Sequence, residues 1–129
     1  MELDELTVLA ESARANAHAP YSNYDVGAAV EAASGVVYVG CNVENASYGL
    51  TLCAERVAVG AAIAAGERAF TRIVVVTESD PPAAPCGACR QFLAEFGCDL
   101  EVVAVGPQGR RSWRLGDLIP EKFGPEDLD

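Results

Sequence analysis

The sequence predicts a three-layer α/β/α fold, in which a mixed sheet of about five strands begins with an antiparallel hairpin and carries helices on both faces. Two strand-like runs flank Ser34-Gly35, a dipeptide typical of a hairpin turn. Later in the chain, short runs rich in β-branched residues alternate with helical segments. Strands connected in this way are expected to pair in parallel through right-handed crossovers.

Three helices are predicted, and a residue that ends helices follows each of them. They cover residues 3–17, 53–65 and about 87–96. Pro20, Gly66 and Gly97 follow them in turn. The second helix is apolar on all sides after Arg56. Because one small sheet covers only one side of a helix, we expect its other side to contact another subunit.

Four strands and a shorter fifth are predicted from β-branched and alternating runs. They cover residues 24–33, 36–43, 73–77 and 100–105, followed by a short strand near Trp113. A basic stretch, Arg110-Arg111 with Arg114, surrounds this last segment. We interpret it as a solvated turn rather than as a binding surface.

Length, charge and cysteine content restrict the class of protein. A chain of 129 residues is expected to form one domain spanning residues 1–129. The net charge of −10 opposes a nucleic-acid partner and favours a small, weakly charged or neutral substrate. No apolar run approaches the length of a membrane span and the acidic N-terminus is unlike a signal peptide, so we expect no membrane partner and a cytoplasmic location. Five cysteines, two of them in a C-x-x-C pair, then favour metal or redox chemistry over disulfides.

Two short segments predict a catalytic zinc site. They are Cys53-Ala54-Glu55-Arg56 and Pro85-Cys86-Gly87-Ala88-Cys89. Cys86 and Cys89 can reach one ion, and Cys53 completes a set of three ligands, which leaves one zinc coordination position open for water. Glu55, two residues from a ligand, is then a candidate for proton transfer. Arg56 is expected to donate hydrogen bonds to the thiolates and to offset their charge.

The residues alone leave other uses of these cysteines open. A C-x-x-C pair at a helix start is also typical of disulfide oxidoreductases. A fourth thiol ligand would make the zinc structural. Cys98 lies about 13 Å along the helix axis from Cys89, and Cys41 points away from Asn42 on a strand, so we expect neither to bind the metal.

The cysteine segments stand among others that share their order and spacing with a known family. The matching segments are Pro20–Ala29, Asn42–Gly49, Cys53–Arg56, Pro85–Gln91 and the tail Leu118–Phe123. Together they resemble the small, homotetrameric, zinc-dependent cytidine deaminases. The resemblance implies a cytidine deaminase-like form of the fold above and one Zn²⁺ per chain. It also implies hydrolytic deamination of cytidine and 2′-deoxycytidine to uridine and 2′-deoxyuridine, in pyrimidine nucleoside salvage.

The resemblance further implies roles in the reaction. Cys53, Cys86 and Cys89 would hold the zinc, with Arg56 beside them. Glu55 would take a proton from zinc-bound water, pass it to ring nitrogen N3 and then protonate the departing amine, while the hydroxide attacks C4.

Substrate-binding residues are implied in the same way. Asn42 and Glu44 match the ribose-binding pair, and both project from one face of a strand. The backbone near Ala54 would contact the base. Phe123 would reach into a neighbouring subunit's site and stack on the base, with Tyr48 placed near the subunit boundary.

Tyr24 departs from the family, which most often carries phenylalanine at this position against the substrate. A tyrosine keeps the ring face for stacking but adds a hydroxyl that needs a partner. We expect Tyr24→Phe to retain activity and Tyr24→Ala to lose affinity for the substrate.

A nucleic-acid editing deaminase shares the zinc signature, but the acidic charge and short length of the chain oppose it. Two further rival functions are retained. The first is the same chemistry on another amino-heterocycle, such as a nucleoside antibiotic or a free base, and a comparison of cytosine with cytidine distinguishes it. The second is a zinc-stabilised binding module without catalysis, for which Glu55→Gln would leave every property unchanged.

Overall fold

The computed structural model describes residues 1–128, and a five-stranded mixed sheet forms the middle layer of the molecule. The helices are Leu3–Arg14 (α1), Ala54–Ala64 (α2), Gly87–Ala94 (α3) and Leu115–Leu118 (α4). The strands are Gly27–Ala32 (β1), Val37–Cys41 (β2), Phe70–Val76 (β3), Glu101–Gly106 (β4) and Gly109–Arg114 (β5). Single 3-10 turns lie at Tyr48–Leu50 and Pro125–Asp127. Within this described range, none of the helices has the length and apolarity needed to cross a membrane.

The strand order across the sheet is β2-β1-β3-β4-β5. The strand β1 is antiparallel to both β2 and β3, and β3 and β4 are parallel. The predicted hairpin and the parallel pair joined by a helix are therefore confirmed. The last strand, β5, is antiparallel to β4 because a tight turn joins them. Arg110 and Arg111 are exposed, as expected, but they lie on β5, so their assignment to a turn was wrong.

Alternating residues of the strands build a separate core on each face of the sheet. On one face Ala29, Val74 and Val103 pack against Leu6 and Ala10 of α1. On the other face, the neighbours of these strand residues pack against α2 and α3. The period of two along a strand thus separates two helical layers, which is the predicted three-layer architecture.

Element boundaries differ from the sequence prediction by a few residues. The helix α1 ends at Arg14 rather than at residue 17, and β3 begins at Phe70 rather than at residue 73. The early part of β3 is not a β-branched run, but it pairs with β1 across an irregularity at Glu31 and Ala32. Backbone pairing therefore extends the strand beyond the signal in its side chains.

Helix α2 lies against β1 and β2 at very close range. A Cβ atom at Gly40 would lie 2.5 Å from the Ala58 nitrogen, so only glycine fits this position of β2. The opposite side of the helix is open, because Gly60 and Ala61 are exposed. The sheet thus covers only one side of this apolar helix, as the sequence analysis anticipated.

Candidate active site

Two helix N-termini meet at one edge of the sheet and bring three thiols together. Cys53 is the N-cap residue of α2 and Cys86 is the N-cap residue of α3. Cys89 lies in the first turn of α3 and is fully buried. The Sγ atoms of these three residues all lie within 4.8 Å of one another. Cys41 and Cys98 lie outside the cluster.

The arrangement of the thiols favours the thiolate form of Cys53. The pKa of the Cys53 thiol is lowered to about 5, chiefly because it accepts a hydrogen bond from Cys89 and secondarily because Arg56 is adjacent. The pKa of Cys89 is raised, because its proton is held in that same hydrogen bond. The positive ends of α2 and α3 act in the same direction as Arg56.

The Arg56 guanidinium is directed at the cluster. Its Nη2 atom donates to Cys53 Sγ at 3.5 Å and to the Thr51 carbonyl at 3.2 Å. The hydrogen bond to Cys53 raises the pKa of Arg56. Among residues 1–128, its buried Nε atom finds no hydrogen-bond partner. Three thiolates on one divalent zinc ion leave a net negative charge, which this arginine is placed to offset, so the donor set and its surroundings fit zinc.

Glu55 is the buried carboxyl group of the site. It follows Ala54 at the start of α2 and is only 5% exposed. Burial is the main cause that raises its pKa above the ordinary value for a carboxyl group. It lines the same pocket as Cys53 and Cys86. A carboxyl group with a raised pKa beside three thiols that can bind a metal ion is suited to carry a proton during a reaction.

A pocket of about 250 Å³ opens in front of the cluster. Residues 51–55 and 83–86 form most of its walls, with Tyr24, Val26, Asn42, Val75 and Thr77 completing them. Of the residues expected to bind substrate, the structure thus places Tyr24, Asn42 and Ala54 at the pocket together with Glu55.

The sequence analysis missed two polar wall residues, Thr51 and Thr77. Thr77 follows directly after β3, which is parallel to β4. Ligands of α/β proteins bind at the carboxyl ends of parallel strands, and this rule was the available signal for Thr77. For Thr51, the signal was only its position two residues before the first ligand cysteine.

Asn42 is held at the pocket by the segment that carries Tyr24. Its Oδ1 atom accepts from the Val26 amide at 3.0 Å, and its Nδ2 atom donates to the Tyr24 carbonyl at 2.7 Å. The side chain is 8% exposed. Asn42 therefore fixes the pocket wall, and one N–H bond of its amide group is left for another acceptor.

Glu44 lies in a neighbouring cavity with Tyr21, Ser22 and Tyr48, and this cavity shares Thr51 with the main pocket. The Glu44 carboxylate accepts hydrogen bonds from the amides of Tyr21 and Ser22 and from the Ser22 hydroxyl. The Ser22 hydroxyl is the main cause that lowers the pKa of Glu44, so this group is ionised at neutral pH.

Tyr48 and Phe123 are not brought into the main pocket of their own chain. Tyr48 is 76% exposed and Phe123 is 59% exposed. The rings of Tyr48 and Tyr21 lie 6.0 Å apart between centroids. Gln91 of α3 holds the tail in place, because its Nε2 atom donates to the Phe123 carbonyl at 2.7 Å.

The fold and the site together define a class of protein, the zinc-dependent nucleobase deaminases. In that class a glutamate serves as the proton carrier beside a zinc ion held by three cysteines, or by one histidine and two cysteines.

Comparison with known proteins identifies the family. Residues 1–105 match the family described as the cytidine and deoxycytidylate deaminase zinc-binding region. The cytidine deaminase of Sporosarcina psychrophila is 40% identical over 131 residues, which cover 99% of this chain and 96% of that protein. The crystal structure of cytidine deaminase from Burkholderia pseudomallei is 51% identical, with a TM-score of 0.92 over 95% of this chain and 100% of that chain. The crystal structure of cytidine deaminase from Mycobacterium tuberculosis is 42% identical, with a TM-score of 0.83 over 96% of this chain and 98% of that chain. The chain therefore belongs to the cytidine and deoxycytidylate deaminase family.

Proposed function

We propose that this enzyme catalyses the hydrolytic deamination of cytidine and 2′-deoxycytidine to uridine and 2′-deoxyuridine, with release of ammonia. The observation that carries the proposal is the three-thiol cluster with buried Glu55 beside it at one pocket. Family membership supports the same reaction. The process that this activity would serve is the salvage of pyrimidine nucleosides.

Cys53, Cys86 and Cys89 are the proposed ligands of one zinc ion per chain. Zinc, when bound, supplies a Lewis acid that makes a water molecule nucleophilic at neutral pH. Two of the three ligands are N-cap residues, so their sulfurs lie beyond the ends of α2 and α3 and face the pocket rather than a helix neighbour. Arg56 moderates the negative charge of the thiolates.

Glu55 is the proposed proton carrier. It takes one proton from the attacking water and delivers it to N3 of the base. The oxygen adds to C4. Glu55 then takes the second proton from the new hydroxyl group on C4 and delivers it to the amino nitrogen, and the bond from C4 to that nitrogen breaks as the C4 carbonyl forms. One water is consumed and one ammonia released for each nucleoside, so atoms and charge balance. The raised pKa of Glu55 suits both halves of this cycle.

The remaining wall residues would orient the nucleoside. Asn42 and Glu44 are proposed to hold the ribose hydroxyls, and the backbone at Ala54 to contact the base. Tyr24 lines the pocket, and its ring is proposed to lie against the substrate. The carboxylate of Glu44 already accepts three hydrogen bonds from residues 21 and 22, so those residues form part of the ribose site in this proposal.

The protein is proposed to act as a homotetramer with sites near the subunit interfaces. Two surfaces support association. One is the open side of α2, and the other is the apolar rim, by which we mean Tyr21, Val43, Tyr48, Leu50 and Leu52, all of them 39% or more exposed. Exposed apolar side chains that lie together favour association with another chain. Phe123 would then enter the site of a neighbour. The cytoplasmic location stays a prediction from the sequence.

Glu55→Gln tests the proposed chemistry. The amide keeps the shape of the side chain but cannot carry the proton. We therefore expect the deamination rate to fall about 10²- to 10⁴-fold. Zinc content per chain should stay at the wild-type value. Loss of cytidine absorbance and release of ammonia measure turnover, and elemental analysis measures zinc.

Glu95→Gln is the matched control. Glu95 is exposed on the surface after α3, and this substitution makes the same chemical change away from the pocket. Turnover by Glu55→Gln at the wild-type rate would refute the proton-carrier role. Equal rates on cytosine and cytidine would refute the nucleoside assignment. A wild-type protein that binds no zinc would refute the metal site itself.

A further inference from the structure

A loop between β3 and α3 forms one wall of the pocket. This loop, residues 77–85, leads from the end of β3 to Cys86. Thr77 at its start and residues 83–85 at its end line the pocket. Ser79 in the middle of the loop is half-buried, and it is not among the residues that line the pocket.

Ser79 joins this loop to the wall that carries Tyr24. The hydroxyl groups of Ser79 and Tyr24 are hydrogen-bonded to each other. Tyr24 lies on the separate segment that precedes β1, and its half-buried side chain does line the pocket. The contact therefore links two walls that are far apart in sequence.

The position of Ser79 is itself fixed by the backbone around it. Its amide donates to Thr77 Oγ1 at 3.1 Å. Its carbonyl oxygen lies against Gly106 at the end of β4, where an added Cβ atom would come within 2.2 Å of it. A hydrogen bond and a close backbone contact thus place Ser79, and its hydroxyl group reaches Tyr24 from this position.

Tyr24 is consequently fixed at both ends. Its carbonyl accepts from Asn42 Nδ2 at 2.7 Å, and its hydroxyl group meets Ser79. An aromatic side chain restrained at its backbone and at its hydroxyl group has fewer orientations available before a ligand arrives. Such pre-organisation improves affinity because less entropy is lost on binding.

We propose that Ser79 is a positioning residue for substrate binding, whose hydrogen bond with Tyr24 holds the tyrosine ring as a fixed wall of the pocket and so sets the affinity for the nucleoside. The inference rests on the proposed function. A neutral hydrogen bond of this kind corresponds to about a two- to ten-fold change in affinity. Ser79 acts through Tyr24 and has no role in the chemical step, so KM carries the effect and kcat does not.

The test measures KM and kcat for cytidine in Ser79→Ala, Tyr24→Phe and the double variant. We expect KM to rise about two- to ten-fold in each single variant. The kcat should stay at the wild-type value, so Tyr24→Phe still deaminates cytidine at saturating substrate, as expected from the sequence. The double variant should be no worse than either single one, because both remove the same contact. Ser79→Thr keeps the hydroxyl group and should restore KM to near the wild-type value. Tyr24→Ala removes the whole ring and should raise KM further than Tyr24→Phe.

Two measurements separate positioning from a general loss of structure. Calorimetric titration with the product uridine gives a dissociation constant that is independent of turnover, and it should weaken in parallel with KM. Ser112→Ala is the control variant, because this serine is exposed on β5 away from the pocket, and it should leave KM and uridine binding unchanged.

The inference is overturned if Ser79→Ala leaves KM and uridine binding unchanged, whatever it does to thermal stability. If the increases in KM of the two single variants multiply in the double variant, the two residues act independently. That result would also overturn the inference. A wild-type protein that fails to deaminate cytidine refutes the proposed function instead. If the wild type deaminates cytidine and Ser79→Ala keeps its KM and uridine binding, only the role of Ser79 is refuted.

Discussion

At the scale of single residues, the charge around the thiols decides how well the site can hold zinc and activate water. Arg56 contacts the cluster directly, because it donates to Cys53 Sγ and also to the Thr51 carbonyl. The pKa of Cys53 falls chiefly because of its hydrogen bond from Cys89 and secondarily because of Arg56, and the hydrogen bond to Cys53 raises the pKa of Arg56. Removal of this cation should therefore leave an excess of negative charge at the metal.

Arg56→Gln is expected to lower zinc affinity or kcat by roughly 10- to 100-fold, the usual cost of losing a group that supports metal ligands. Competition with a chromophoric chelator measures the affinity, and the cytidine assay measures kcat. Arg68→Gln makes the same change in an exposed arginine that donates to the Ile63 carbonyl at the far end of α2, and should alter neither quantity. Equal behaviour of the two variants would refute the role of Arg56.

The chemistry of individual residues could be predicted from the sequence where one residue type at one spacing performs one task. The three cysteines, Glu55 and Arg56 follow from short segments, and the structure brings their side chains together. Ser79 could not be predicted. It lies in an irregular loop rich in proline and alanine, and its proposed role depends on a hydrogen-bond partner 55 positions away in the chain. Only the folded backbone brings these two hydroxyl groups together.

At the scale of secondary-structure elements, the site depends on the fit of α2 against β2. The N-cap of α2 carries Cys53, so any displacement of the helix also moves a ligand. Gly40 allows the close approach, because an added Cβ atom would lie 2.5 Å from the Ala58 nitrogen and 2.7 Å from the Ala54 carbonyl oxygen. Both of these atoms belong to the helix backbone, which has little freedom to move aside.

Gly40→Ala is therefore expected to lower the free energy of unfolding by about 1–3 kcal/mol, as overpacking of a core does. Denaturant unfolding at equal protein concentration measures this loss, and zinc titration should show weaker binding because Cys53 is displaced. Gly109→Ala is the control, because nothing lies within 4 Å of its added Cβ atom. It should change the stability by no more than about 0.5 kcal/mol. Equal stabilities of the two variants would show that the β2–α2 contact is not tight.

The elements themselves were predictable where side-chain pattern and backbone pairing agree. The starts of α2 and α3 were placed within one residue, and the hairpin of β1 and β2 was recognised from its turn. The full length of β3 was missed, because Phe70 and its neighbours are strand residues only through pairing with β1. The strand β5 is mostly exposed and polar, so only its aromatic residue, Trp113, indicated a strand.

At the scale of the whole molecule, the exposed apolar surface supports the proposed assembly of several chains. Helix α2 leaves Val57, Gly60, Ala61 and Ala64 on its open side, at helical spacing and with small side chains. A partner helix could approach such a surface closely. The apolar rim lies beside the pocket, so association would enclose the site as well as stabilise the fold. The sequence predicted the open side of α2 from composition. The rim required the folded chain, because its residues come from separate loops and a 3-10 turn.

Ala61→Glu tests this assembly. A carboxylate on the open side of α2 would be buried without a partner in the assembled protein, and such a charge costs several kcal/mol. We expect wild-type protein to sediment as four chains and Ala61→Glu to sediment as smaller species. Because Phe123 is proposed to complete a neighbour's site, the smaller species should also lose cytidine deamination. Ser12→Glu adds the same charge to an exposed position of α1 and should keep both the assembly and the activity.

A dissociated Ala61→Glu with full activity would show that each chain holds a complete site. An unchanged sedimentation coefficient would show that the open side of α2 is not part of an interface.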